Sequence, residues 1–231
     1  MLTKGDFHIH STASDGELSP KEIILNAKDR GIDTIAITDH NSVSGIKGAV
    51  EAGKIYGVSV VPAVELSTRY NHESIHILGY FKNNQYNNNT FQEILKLVKT
   101  HHTEKIRTIL SKGAKLEASG GHLSVTEGIT LLRVFGAAVV LAHPVRINSK
   151  YIDEILKFPF DGIEARYCRS SANDTIKFIN IALSKFSFYT AGSDFHTSNR
   201  KDTKHSLIGD PHLNSAEIKV FLKKSGASLL S

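Results

Sequence analysis

Short apolar segments alternate with amphipathic segments along most of the chain. Seven segments are rich in β-branched residues and are bounded by turn-forming residues, which is typical of buried β-strands. They span residues 6–10, 34–40, 59–67, 74–81, 137–144, 162–166 and 187–196. Helical periodicity between several of them predicts an α/β fold with a parallel sheet. The 231 residues suit one undivided α/β barrel.

Capping residues predict where the helices begin and end. Ser19, Pro20 and Glu22 match the N-cap, the first helical position and the reciprocal acid of a capping box. Gly31 predicts the end of that helix. Further helices are predicted near residues 44–57, 90–111, 149–157 and 173–185, followed by a closing helix capped by Asn214.

The segment 82–136 departs from this alternation. It begins with an asparagine-rich stretch, KNNQYNNNT, and later contains KGAKLEASGGHLSV, which is rich in glycine and serine. Both compositions are typical of exposed loops. We expect a short insertion with helical content and at least one flexible loop, lying over the mouth of a single barrel domain of residues 1–231.

Histidines and acidic residues recur where the apolar runs stop. His8 and His10 lie two residues apart at the end of one strand, as do Asp194 and His196, so each pair points to one side. The full set is His8, His10, Asp15, His40, Glu65, His76, His143, Asp194 and His196. Polar groups at the carboxyl ends of barrel strands meet at one rim. The pattern therefore predicts a multinuclear metal site, and mixed imidazole and carboxylate ligands favour manganese, iron or zinc over calcium.

Composition narrows the class of protein. The chain is 40% hydrophobic and 22% charged, which is ordinary for a globular protein. It has no apolar leader and no run long enough to cross a bilayer, so we expect a cytoplasmic protein without a membrane partner. Its net charge is +5, its basic residues are scattered and it contains no tryptophan, so no binding of long nucleic acid is predicted.

The ordered motifs resemble the PHP phosphoesterases, a family named for polymerase and histidinol phosphatase. The resemblance rests on His8-Ile9-His10 with Asp15-Gly16, Thr38-Asp39-His40-Asn41, Glu65, His76 within HILGY, Ala142-His143-Pro144 and Ser193-Asp194-Phe195-His196. It covers nearly the whole chain, and each motif alone would be weak. The insertion matches poorly and looks shorter than in nucleotide-hydrolysing members.

This resemblance implies a distorted seven-stranded (β/α)7 TIM-like barrel that holds three divalent metal ions. One ion is held by His8, His10, Glu65 and Asp194. Glu65 bridges to a second ion held by His76 and His143. The third ion is held by Asp15, His40 and His196.

The implied activity is hydrolysis of phosphoric esters by attack of a metal-bound hydroxide. The expected substrates are small phosphomonoesters of nucleotide or oligonucleotide 5'-phosphate type. Three alternatives stay open: a histidinol-phosphate-type phosphatase, an amidohydrolase-like enzyme that cleaves a C–N bond, and a non-catalytic metal-binding module. A single histidine at a strand end is more often structural than a ligand, whereas nine such residues in order favour the metal site.

Other polar residues are candidates for contact with substrate or ligands. Asp39 should face away from His40 and orient an imidazole. Arg146, Arg166 and Arg169 lie near the same rim and could grip phosphate oxygens, and Glu164 could face the barrel interior. Six histidines are predicted to lie at the surface: His72, His101, His102, His122, His205 and His212. The single cysteine, Cys168, is interpreted as a packed thiol.

Overall fold

The computed structural model describes residues 2–110, 121–199 and 201–231. Within them, eight strands form one sheet: β1 (Lys4–Ile9), β2 (Thr34–Ile37), β3 (Ser59–Tyr70), β4 (Glu73–Phe81), β5 (Ala137–Leu141), β6 (Gly162–Tyr167), β7 (Phe188–Gly192) and β8 (Leu213–Asn214). Their order is β7-β6-β5-β4-β3-β2-β1-β8. The backbone N–H of His10 donates to the carbonyl of Phe195, just past β7, at 2.9 Å. The first and seventh strands therefore meet, and the sheet nearly closes into the predicted α/β barrel.

The strand count and direction differ from the prediction in two places. The short β8 is an eighth strand, which pairs antiparallel with β1. The fourth strand, β4, runs antiparallel to both of its neighbours. Asn71 and His72 form the turn between β3 and β4, with φ values of 46° and 70°. Two residues can join a hairpin but cannot accommodate the crossover helix that a parallel neighbour requires.

Eight α-helices accompany the strands within the described ranges: α1 (Pro20–Asp29), α2 (Gly45–Tyr56), α3 (Asn89–Lys99), α4 (Thr103–Leu110), α5 (Val125–Val134), α6 (Ser149–Ile155), α7 (Ala172–Lys185) and α8 (Ser215–Ser225). The predicted capping box of Ser19 and Glu22 at the start of α1 is confirmed, as is the Asn214 cap of α8. None of the described helices combines the length and apolarity needed to cross a bilayer.

The prediction of one helix over residues 90–111 was wrong. The helix ends at Lys99, and α4 begins at Thr103. Between them His101 has a φ of 57°, a left-handed conformation that cannot continue an α-helix. Much of the predicted Gly- and Ser-rich loop falls on residues 111–120, which lie outside the described residues. That the insertion covers the barrel mouth stays a prediction.

Alternation along the strands separates an inner from an outer layer. In β3, Val61 and Ala63 belong to the same inner apolar cluster as Leu78 and Tyr80 of β4. Leu66 instead packs outward in the cluster that includes residues of α3 and α5. Since Glu65 follows Val61 and Ala63 at intervals of two, its side chain lies on the inner face next to this apolar cluster.

Candidate metal centre

All nine residues predicted as ligands lie around one end of the barrel. His8 is the penultimate residue of β1 and His10 directly follows that strand, whereas the positions two to four residues past the ends of β2, β5 and β7 are those of His40, His143, Asp194 and His196. His76 lies in the first half of β4, opposite Ser67 of β3. It reaches the same rim because β4 runs in the opposite direction. Because β4 is antiparallel, this candidate ligand lies in the first half of its strand rather than at the C-terminal end of the strand.

The backbone turns sharply at two of these positions. His143 has a φ of 28° and Asp194 a φ of 51°. Positive φ outside glycine costs about 1 to 3 kcal/mol and is concentrated at functional sites. Both residues lie two positions past the end of a buried strand, and the turn leaves each side chain within the rim cluster.

The carboxylate of Glu65 is the centre of the cluster. Its Oε1 atom lies 3.1 Å from Nδ1 of His76 and 3.0 Å from Nε2 of His143. Its Oε2 atom lies within 3.4 Å of ring nitrogens of His8, His10 and His40. Each oxygen therefore faces a different group of imidazoles, which is the arrangement expected of a bridging carboxylate.

Asp194 and Asp15 approach this cluster from two other sides. Oδ1 of Asp194 lies 3.3 Å from Nε2 of His8 and 3.2 Å from Nε2 of His10. Oδ1 of Asp15 lies 3.6 Å from Nδ1 of His10 and 3.5 Å from Nε2 of His196. The side chain of Asp15 is 54% exposed, so this side of the cluster opens to solvent.

The donor atoms fit metal ions. Within the described residues, ligand atoms lie within 4.8 Å of one another in four overlapping groups: His8, His10, Glu65 and Asp194; His10, Asp15, His40 and His196; His40, Glu65 and His76; and Asp194, His196 and His205. Among the described residues, Nδ1 of His10, Nδ1 of His40 and Oε2 of Glu65 are buried without a hydrogen-bond partner. The last two atoms are 3.0 Å apart but lack hydrogen-bond geometry. Buried polar atoms left unpaired are costly, and cations among them would satisfy all three.

The pKa shifts within the cluster also favour the binding of metal ions. Burial would raise the pKa of Glu65, but the surrounding imidazoles, beginning with His40 and His76, hold it well below its usual value. Burial would lower the pKa of His10, but the neighbouring carboxylates of Asp194 and Glu65 raise it to about 9. The carboxylate of Glu65 is thus stabilised in the ionised form, and a proton on His10 occupies a position for which a metal ion competes.

A model of the PHP domain matches residues 6–143 of the chain. The chain belongs to the PHP domain family. The resemblance inferred from the motifs is therefore confirmed. The enzyme class of this PHP protein is that of the phosphoric ester hydrolases.

Known PHP-related proteins support the fold and the class. A 5'-3' exoribonuclease of Haemophilus influenzae is 34% identical over 120 residues, which are 52% of this chain but 42% of that protein. The 5'-3' exoribonuclease Rnm of Escherichia coli is 24% identical over 249 aligned positions, covering 83% of this chain and 84% of that protein. A crystal structure from Bifidobacterium adolescentis, described as that of a metal-dependent phosphoesterase, superposes with a TM-score of 0.75 at 17% identity, covering 96% of each chain.

A bulge in β6 decides which side chains of that strand face the metal centre around Glu65. The register with β7 shifts between Glu164 and Arg166. Glu164 faces inward, where Oε1 lies 2.9 Å from Nδ1 of His8. After the bulge it is Tyr167 that turns inward, and its hydroxyl donates to Oδ2 of Asp194 at 2.9 Å. Sequence reasoning missed Tyr167 because strict alternation from Glu164 selects Arg166.

The structure places Arg166 against α8 rather than at the metal centre. Its guanidinium donates to both carboxylate oxygens of Glu217 on α8, at 2.8 and 2.6 Å. It also donates to the carbonyl of His212. Arg146 does reach the centre, with Nη1 3.4 Å from Oδ2 of Asp194. Arg169 lines a neighbouring cleft together with Arg146.

Asp39 contacts a loop rather than an imidazole. Its Oδ1 atom accepts hydrogen bonds from the backbone of Ser11 and the hydroxyl of Ser14, both at 2.7 Å. Its Oδ2 atom accepts from the hydroxyl of Ser11 at 2.7 Å. The expected role in orienting an imidazole is therefore replaced by another one: Asp39 fixes the loop that carries Asp15.

The structure brings one further histidine, His205, to the metal centre. The ring of His205 stacks on that of His196 with ring centres 4.0 Å apart, and its Nε2 lies 4.0 Å from Oδ2 of Asp194. Its Nδ1 lies 2.8 Å from a carboxylate oxygen of Asp202. The surface position predicted for His205 was wrong because it lies in a loop, where no local periodicity indicates direction. Cys168, also near this rim, is partly buried, and burial raises its pKa to about 12.

Proposed function

We propose that this chain hydrolyses the phosphate ester of nucleotides and of short oligonucleotide 5' ends at a centre of three divalent metal ions. The observation that carries the proposal is the carboxylate of Glu65, which divides five surrounding imidazoles between its two oxygens. The names of the relatives from Haemophilus influenzae and Escherichia coli, 5'-3' exoribonucleases, support a nucleotide-type substrate.

The nine residues divide among the three ions as the motifs imply. His8, His10, Glu65 and Asp194 would hold the first ion, Glu65, His76 and His143 the second, and Asp15, His40 and His196 the third. When bound, such ions act as Lewis acids, lower the pKa of water and offset the charge of a phosphate group.

Residues around the cluster position both ligands and substrate. Glu164 orients the ring of His8, and Tyr167 holds Asp194. Arg146 is 43% exposed in its side chain, so its guanidinium is accessible to a phosphate oxygen while Asp194 keeps it at the centre. Nδ1 of His205 lies 2.8 Å from the carboxylate of Asp202, which leaves Nε2 directed towards the same space.

Hydrolysis after controlled metal loading tests this proposal. Protein stripped of metal and reloaded with manganese, iron or zinc in turn is incubated with nucleotides, bisphosphorylated nucleosides, 5'-phosphorylated oligoribonucleotides and histidinol phosphate. We expect metal-restored release of phosphate or mononucleotide from the nucleotide-type substrates. Turnover of histidinol phosphate alone, or no turnover despite measured metal binding, would contradict the proposal.

Variants connect that activity to the cluster. His8→Ala and Asp194→Ala each remove a residue that faces Glu65 or His10, and we expect loss of hydrolysis of all phosphate esters in folded protein. His102→Ala is the matched control, because His102 is an exposed histidine whose Nδ1 lies 2.8 Å from the hydroxyl of Thr100, outside the cluster. Equal activity in all three variants would exclude this site.

A further inference from the structure

A cleft of about 570 Å³ opens beside the metal centre. It lies between the tip of the β3–β4 hairpin and the segment that leads from Arg146 into α6. His76, His143 and Arg146 line both the cleft and the central cavity. A phosphate group held at the centre would therefore have its organic portion at the entrance of this cleft, whose size is typical of small-ligand pockets.

One wall of the cleft carries a fixed aromatic ring. Tyr151 lines the cleft next to Ile147. Tyr70 packs edge-on against it, with ring centres 6.0 Å apart and planes at 78°, and the hydroxyl of Tyr70 donates to the carboxylate of Glu154 on α6. The ammonium of the exposed Lys150 lies 5.3 Å from the centre of the Tyr151 ring, so this face is accessible to a mobile group. An oriented aromatic ring of this kind is what a nucleobase stacks on.

The opposite wall of the cleft is polar and is hydrogen-bonded to the segment that carries Tyr151. Asn71, His72 and Ser74 line it from the hairpin. Glu73 of the same hairpin accepts a hydrogen bond from the backbone N–H of Asn148, the cap of α6, at 2.8 Å. The distance between the two walls is thus set by a hydrogen bond as well as by the barrel. Amide, imidazole and hydroxyl groups can pair with the edges of a base.

We propose that this cleft is the subsite for the nucleoside attached to the scissile phosphate, with Tyr151 as the stacking residue and Asn71 as a partner for the base edge. This inference rests on the proposed function. An amino-alcohol phosphate fits the cleft less well, since its ammonium needs a carboxylate. Among the described residues that line the cleft, Glu73 is the one acid, and Asn148 already engages it.

Paired substrates test the subsite. Tyr151→Leu keeps an apolar side chain of similar reach but removes the ring. We expect the KM for a nucleoside 5'-phosphate to rise by about tenfold, the size expected for loss of one stacked base. The KM and kcat for ribose 5-phosphate, which has no base, should be unchanged. Tyr56→Leu is the control, because Tyr56 ends α2 and does not line this cleft.

A second variant, outside α6, controls for the case in which Tyr151→Leu acts by disturbing that helix. Asn71→Gly removes the amide while glycine keeps the φ of 46° without strain, and we expect a selective rise in KM for the nucleotide. An equal change for nucleotide and ribose 5-phosphate, or unchanged nucleotide KM in both variants, would overturn the subsite.

Direct binding separates the subsite from the proposed reaction. Calorimetry with adenosine, which carries no phosphate, should detect binding to the unmodified protein and weaker binding to Tyr151→Leu. If no phosphate ester is hydrolysed, the proposed function fails, while this binding result still decides the subsite. Absence of adenosine binding to an enzyme that hydrolyses nucleotides would overturn the subsite alone.

Discussion

Nδ1 of His8 lies 2.9 Å from Oε1 of Glu164, so a buried carboxylate on β6 supports a buried imidazole on β1. The second oxygen of Glu164 accepts the backbone N–H of His143 at 2.8 Å. One side chain thus orients a ring and a strand end that both face Glu65. Carboxylates that hold the far nitrogen of a metal-binding histidine fix its tautomer and raise its basicity.

Glu164→Gln should weaken metal binding without unfolding the protein. The amide keeps the shape of the side chain but loses its charge, so we expect metal affinity to fall by about 10- to 100-fold. Titration of metal-free protein with manganese or zinc measures the change. Glu93→Gln, at an exposed position of α3, is the control, and an affinity equal to that control would contradict this role of Glu164.

Gly192→Ala should destabilise the fold near the centre. A Cβ at Gly192 would lie 2.2 Å from Cβ of His8 and 2.6 Å from Oε1 of Glu164. Both atoms are buried, so we expect a loss of about 1 to 3 kcal/mol in the free energy of unfolding. Urea denaturation measures it.

Gly48→Ala provides the matched comparison. The nearest atom to its added Cβ is 3.6 Å away, and alanine is favoured in a helix interior by about 0.8 to 1 kcal/mol. We expect equal or higher stability for this variant. A Gly192→Ala protein as stable as Gly48→Ala would show that β1 and β7 tolerate separation.

Arg146 and Arg166 should differ in the kind of damage that their loss causes. Arg146→Ala removes the guanidinium beside Asp194, and we expect kcat/KM for phosphate esters to fall by about 100-fold with the fold intact. Arg166→Ala removes the pair with Glu217 and should lower stability while leaving kcat/KM of the folded protein nearly unchanged. Steady-state kinetics and thermal unfolding of both variants distinguish loss of activity from loss of stability. A lower kcat/KM in Arg166→Ala, with only lower stability in Arg146→Ala, would contradict these roles.

The acid sensitivity of the closing helix should depend on Glu217. Its carboxylate accepts hydrogen bonds from Tyr189 at 2.6 Å and from the backbone of Asn214 at 2.8 Å. Burial would raise its pKa, but these bonds and the charge of Arg166 lower it. Because the folded pKa lies below the unfolded one, the contribution to stability is present above the unfolded value of about 4.3 and is lost as the pH falls through the folded value.

Glu217→Gln tests that dependence. At neutral pH we expect it to cost on the order of 1 to 3 kcal/mol, since charged hydrogen bonds are lost. The difference from the unmodified protein should shrink in denaturation experiments below about pH 4, where the native carboxyl also begins to protonate. Glu51→Gln is the control, because Glu51 is exposed and pairs with Lys47 at 3.9 Å. A difference that is constant with pH would contradict the mechanism.

Local patterns were enough to predict which histidines and acidic residues meet at the rim, and most of the barrel. His8 and His10 face one side because alternation is a property of the strand itself. The capping box of Ser19 and Glu22 could also be predicted from the sequence, because its hydrogen bonds join residues three apart. Each of these features depends on residues close together in the chain, so no knowledge of the fold was needed to recognise them.

Other features depend on contacts between distant segments, and only the tertiary structure decided them. The bulge in β6 is set by pairing with β7, and it turns Tyr167 inward and Arg166 towards Glu217. His205 reaches Asp194 through a loop whose path depends on anchors elsewhere, including the backbone N–H of Ser206 on the carbonyl of Ser193. The sequence determined which residues could meet at the rim, because strand periodicity is local. The fold decided which neighbours support them, because register and loop path are set across the sheet.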